Sequence, residues 1–191
     1  MRFGMKRTHT CGELTKKDDK KEVVLAGWMH SRRDHGGIIF IDLRDRYGLT
    51  QVVFDPKHDK KGHVEAEHLG REDVLQIKGK VRPRGKGLEN PKLKTGEIEV
   101  LVDELTILNK AETPPLEIDD RVEINEDMRL KYRYLDLRKP SMQKNLSMRH
   151  RVIKIVRDFY DKDGFMEIET PIMAKSTPEG ARDYLIPSRI N

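Results

Sequence analysis

Through the first half of the chain the apolar side chains gather in short runs rich in β-branched residues, with polar stretches between them. The runs are VVLAGWMH (Val23–His30), IIFIDLRD (Ile38–Asp45), LTQVVFD (Leu49–Asp55), VLQIKGKVR (Val74–Arg82) and EIEVLVDELTIL (Glu97–Leu108). Glycine or proline punctuates the intervals, as expected between strands. Gly36-Gly37 and Gly48 fall where neighbouring strands would reverse, because tight turns need the positive φ that glycine adopts freely. The stretch KKGHVEAEHLGRED separates the third run from the fourth, and its middle suits a short helix. Three strands, a helix and two strands is the plan of the five-stranded OB-fold barrel. An SH3-like barrel is the main structural rival.

Beyond Leu108 the pattern breaks. NKAETPPLEIDDRVEINED combines Pro114-Pro115 with an acidic cluster, sustains neither a strand nor a helix, and reads as a linker. Leu146, Ile153, Val156, Phe159 and Tyr160 then recur at helical spacing from Gln143 to Lys162, with Gly164 placed to end that helix. FMEIETPIM (Phe165–Met173) alternates until Pro171 and predicts a strand whose far end lies at an edge or interface. AKSTPEGARDYLIPSRIN reads as an ordered loop. The expected class is mainly β with α: residues 1–109 as the barrel, 110–127 as a hinge and 128–191 as the beginning of a second domain. One helix, one strand and one loop cannot bury a core of their own. The apolar face of Ile153, Val156 and Phe159 therefore calls for a partner, either more chain or another subunit.

Charged residues make up 37% of the 191 positions and hydrophobic ones 36%, enough for one medium core or two small ones, which argues against pure disorder. No apolar run approaches the ~18 residues of a spanning helix. MRFGMKRTHT also lacks the apolar region of a signal peptide, so a cytoplasmic location is expected. A single cysteine, Cys11, excludes an internal disulfide and a cysteine-based zinc site. The net charge of +5 says little until it is placed. Between Gln76 and Thr95 stand Lys78, Lys80, Arg82, Arg84, Lys86, Lys92 and Lys94 against Glu89 alone, a local cationic strip. Leu116 to Asp127 runs the other way and would repel a phosphate backbone. TKKDDKKE (Thr15–Glu22) is nearly balanced and reads as a solvated turn.

His58, His63 and His68 recur every five residues, an advance of about 500° around a helix, so they cannot share one face as metal ligands. No nucleophile elbow and no phosphate-cradling glycine loop occurs, and no catalytic residue is expected in the chain. The barrel does combine Phe40 with Arg32, Arg33, Arg82 and Arg84 on or beside the face that OB-folds use for oligonucleotides, where bases stack on rings and guanidinium groups meet phosphates. Alternation alone leaves open whether Phe40 points to that face or into the core.

GWMHSRRDHGGIIFIDLRDRYGLTQVVFDP, TGEIEV, LKYRYLDLR, DGFMEIETP and TPEGARDYLIPSR together closely resemble the N-terminal part of the bacterial-type aspartyl-tRNA synthetases, from Thr10 onward. The first string is shared more loosely with asparaginyl and lysyl relatives, whereas TPEGARDYL is more particular to the aspartyl family. The resemblance implies the opening of a class II α+β catalytic domain after the barrel, and an ATP- and Mg2+-dependent ligase that makes aspartyl-adenylate and transfers aspartate to tRNA. It implies that Phe40 stacks on an anticodon base, that Gln51 and Glu99 read base edges, and that Arg33, Arg82, Arg84 and Asn90 make further contacts. Pro171 would lie at a homodimer interface, and Glu179 in the loop Thr177–Ala181 would contact bound aspartate. His35 and Gly87 resemble family members that accept both aspartate and asparagine tRNAs. The arginine-bearing motifs that hold ATP are absent before Asn191, so the chain alone is expected not to aminoacylate. The rival is a free-standing OB module for single-stranded nucleic acid, which has no use for a dimer helix or an aspartate-closing loop. A fragment of an asparaginyl or lysyl synthetase is a further alternative.

Overall fold

Strand β2 (Ile38–Arg44) shows how the barrel forms: Ile39, Ile41 and Leu43 point inward and are buried, while Phe40, Asp42 and Arg44 lie on the other face. The computed structural model describes residues 6–173, 175 and 186–189. The chain divides into two units, Met1–Glu117 and Ile118–Asn191. In the first, β1 (Glu22–His35) pairs antiparallel with β2, and β2 with β3 (Leu49–Phe54). β3 runs parallel to β5 (Ile98–Asn109), which pairs antiparallel with β4 (Val74–Pro83), and β4 returns to β1. The strands thus close in the order β1-β2-β3-β5-β4, and each finds a neighbour on both sides. Helix α1 (Lys60–Glu67) sits between β3 and β4, as the sequence pattern predicts. Leu25, Ile41, Leu43, Val52, Leu75, Ile77 and Ile98, all fully buried, fill the interior.

The far end of β1, from Arg32 to His35, is exposed where it pairs with β2, and Gly36 (φ 63°) and Gly37 (φ 81°) turn the chain between the two strands. Helix α1 braces this pair. His63 Nε2 lies 2.8 Å from the Gly37 carbonyl, and the Arg32 guanidinium donates to the carbonyls of Ala66 (3.2 Å) and Glu67 at the helix's C-terminal end. A cation there also meets the negative end of the helix dipole. The helix starts at Asp59, whose carboxylate accepts from the Lys61 backbone N–H at 3.1 Å. Asp59→Ala is expected to cost about 1 kcal/mol of stability, read as a lower urea midpoint with an unchanged slope.

In the second unit Asn125 caps α2 (Glu126–Lys131), followed by α3 (Arg133–Asp136) and α4 (Pro140–Lys162). LKYRYLDLR supplies the last residues of α2 and all of α3. Asp136 is fully buried and accepts from Arg129 Nε at 2.9 Å and from Arg133. The Arg129 hydrogen bond above all holds its carboxyl below the usual range, Arg133 and Lys139 adding to it. Gly164 (φ 81°) ends α4, and the Phe165 N–H closes back on the Tyr160 carbonyl at 3.1 Å. Ile153, Val156, Phe159 and Tyr160 are exposed on α4. The strand expected at Phe165–Met173 is not formed. Alternation supplies two faces, but a strand also needs a neighbour for its backbone groups, and none pairs with this segment among the described residues.

Candidate nucleic-acid interface

Strand register brings four of the expected contact residues into one hydrogen-bonded belt on the barrel's outer face. Ser31 stands opposite Asp42, Asp42 opposite Gln51, and Arg82 opposite Glu99, while β3 and β5 run side by side. Ser31 Oγ donates to Asp42 Oδ2 at 2.6 Å, and Arg33 Nη2 donates to Asp42 Oδ1 at 3.0 Å and to Gln51 Oε1 at 3.3 Å. Gln51 Nε2 donates to Glu99 Oε2 at 2.9 Å, and Arg82 Nε donates to Glu99 Oε1 at 2.7 Å. Gln51 and Glu99 are only 7% and 8% exposed, so their polar groups are oriented by protein partners rather than by solvent.

Arg84 extends the same charge cluster beyond the end of β4. It is 9% exposed, and its Nε donates to the Ile98 carbonyl at 3.0 Å. Its buried Nη2 finds no hydrogen-bond partner among the described residues. Burial lowers the pKa of this guanidinium, Glu99 and then Asp42 counter the shift, and Arg33 adds to it. The group nevertheless stays cationic. That nitrogen is enclosed by the protein, so Arg84 adds positive charge beneath the belt rather than an accessible donor.

Phe40 lies directly opposite Arg33 in the β1–β2 ladder and is half-buried on the outer face, outside the barrel core. The His35 ring meets it edge-on, with centroids 6.1 Å apart and planes at 61°. Asn90 lies in the β4–β5 loop, where its backbone N–H bonds the Gly96 carbonyl and its Oδ1 accepts from the Lys92 N–H. Lys86, Lys92 and Lys94 are exposed on this loop. Gly87 turns it at φ 83°, a conformation that would strain any other residue. Pro171 belongs to the second unit and is exposed, and Glu179 lies outside the described residues. Asp42 and Ser31 were not among the expected site residues. Asp42 stands two positions after Phe40, on the same face of a strand, and that parity was a legible signal.

A closed five-stranded barrel in this strand order, with a helix between its third and fourth strands, is an OB-fold. Residues 23–108 match the family model described as OB-fold nucleic acid binding domain, and residues 125–191 match that of the class II tRNA synthetases (D, K and N). Over its whole length the chain is similar to the aspartyl branch of the class II tRNA synthetases. It is 55% identical to the aspartate–tRNA(Asp/Asn) ligase of Protochlamydia amoebophila, over 100% of this chain and 32% of that protein. With the ligase of the same name from Thermoanaerobacter sp. (strain X514) the identity is 58%, over 98% of this chain and 32% of the relative. The chain thus spans about a third of the length of the curated relatives it matches. Among solved structures, the asparaginyl-tRNA synthetase from Pyrococcus horikoshii complexed with asparaginyl-adenylate is 27% identical with a TM-score of 0.74, over 86% of this chain and 36% of that one. The aspartyl tRNA synthetase from Entamoeba histolytica, 21% identical with a TM-score of 0.78 over 89% of this chain and 40% of that one, shares the fold.

Proposed function

We propose that the barrel reads the anticodon for an aspartate–tRNA ligase, and that the helices after it open the ligase's catalytic domain. Aspartate and ATP would give aspartyl-adenylate and pyrophosphate, and the aspartyl group would then pass to the 3′-terminal adenosine of tRNA with release of AMP. The observation that carries this reading is the belt from Arg33 through Gln51 and Glu99 to Arg82, beside an outward Phe40. Unpaired bases can lie on the ring while their edges meet oriented donors and acceptors. ATP and Mg2+ serve class II synthetases in general. Among the described residues there is no group of His, Cys, Asp or Glu able to hold a metal ion. Residues 110–127 would act as the hinge. The exposed apolar stripe of α4, with Pro171, would be covered by a second copy, and Glu179 would meet bound aspartate.

Binding of an aspartate-tRNA anticodon stem-loop by the 191-residue chain, followed by fluorescence anisotropy at several salt concentrations, tests the reading. The dissociation constant should rise steeply with salt, because phosphate contacts release counterions. Absence of a salt-sensitive complex would reject the proposal.

Acceptance of asparagine tRNA as well is supported by two features. The relatives' names carry both tRNAs, and His35 packs on the proposed stacking ring while Gly87 turns the β4–β5 loop without a side chain. Charging of the two purified tRNAs by a full-length ligase containing this chain should yield product on both. No product on asparagine tRNA would eliminate dual acceptance.

A further inference from the structure

We infer that Asp42 is a positioning residue for base discrimination, acting through Arg33; this deepens the RNA-binding reading and rests on it. The hydrogen bonds of the belt run in a defined direction. Ser31 Oγ–H holds one oxygen of Asp42 at 2.6 Å, which leaves the other to take Arg33 Nη2 at 3.0 Å. Pinned there, the same guanidinium nitrogen also reaches Gln51 Oε1 at 3.3 Å. The Gln51 amide is thereby oriented with its oxygen toward Arg33 and its nitrogen toward Glu99 Oε2 at 2.9 Å.

An amide offers a donor at one end and an acceptor at the other, and a flip exchanges them. The direction of Gln51 therefore decides what a base edge meets, and Asp42, opposite it on the adjacent strand, sets that direction through Arg33. Without the Asp42 charge, Arg33, about half-exposed at its side chain, regains rotamer freedom, and Gln51 loses the partner that holds its oxygen. The sign of the charge separates this role from simple attraction. A carboxylate repels phosphates, so removing it cannot weaken sequence-independent binding through electrostatics, although it disorders the reading groups.

The test measures dissociation constants for the anticodon stem-loop and for versions with single loop-base substitutions. The proteins are the unsubstituted chain, Asp42→Asn, Arg33→Ala and the double variant. Asp42→Asn should reduce the preference for the unsubstituted loop about tenfold, without weakening binding of unrelated single-stranded RNA, and should reduce it no further in the Arg33→Ala background. Ser31→Ala, which spares both charges, should shift the preference in the same direction by less. An unchanged preference in Asp42→Asn, or an equal additional loss in the Arg33→Ala background, would overturn the role. A chain without substitutions that shows no stem-loop binding would instead overturn the RNA-binding reading, and this role with it.

Discussion

Phe40→Ala is expected to weaken anticodon stem-loop binding by about 1–3 kcal/mol, the range for a base that loses its aromatic platform. Thermal stability should change little. β2 sends Ile39, Ile41 and Leu43 into the core and Phe40 outward, so the truncation opens no internal cavity. The intramolecular loss is mainly the edge contact with His35. Anisotropy titration and a circular-dichroism melt, run on the same preparation, separate the two effects. Unchanged affinity would mean that no base lies on the ring. A fall in affinity matched by a fall in melting temperature would make Phe40 a packing residue.

Glu99→Gln should cost about 1.5–3 kcal/mol of discrimination between the unsubstituted loop and its base variants, the worth of hydrogen bonds to a charged group. At the same time, affinity for an unrelated single-stranded RNA should rise. Both signs follow from position. Glu99 is 8% exposed and holds Arg82 on one oxygen and Gln51 on the other, so its loss disorders two reading groups at once. It is also one of two carboxylates, with Asp42, that offset the charge on Arg33, Arg82 and Arg84. Neutralising it leaves the belt more attractive to any polyanion and less able to tell one base from another. Competition titrations with the two RNA types read both quantities, and a variant that kept full discrimination would remove Glu99 from base reading.

The barrel was legible because its signals are local. Short runs rich in Val and Ile, with Gly36, Gly37 and Gly48 between them, mark the β1–β2–β3 meander without reference to the rest of the chain. IIFI in β2 is apolar at both parities, so its alternation could not choose which side faced inward. Closure of the ring against β3 and β1 chose Ile39 and Ile41 and left Phe40 outside. Phe165–Met173 failed in the opposite way: its alternation was clear, but it has no neighbouring strand among the described residues. The burial of Arg84 had no sequence signal at all. A cationic strip reads as solvated, and only the fold around the end of β4 withdrew this guanidinium from water while Lys86, Lys92 and Lys94 stayed out.

By itself, the order of residues determined the strand runs, the helix between β3 and β4, the long amphipathic α4 and the kinship with the aspartyl synthetases, since each is written in short-range pattern or contiguous motif. The tertiary structure decided which face Phe40 takes and that Ser31, Arg33, Asp42, Gln51, Arg82 and Glu99 form one directional belt. These residues lie up to 68 positions apart. Hydrogen bonds between them depend on strand register around a closed ring, a long-range quantity that no local pattern encodes.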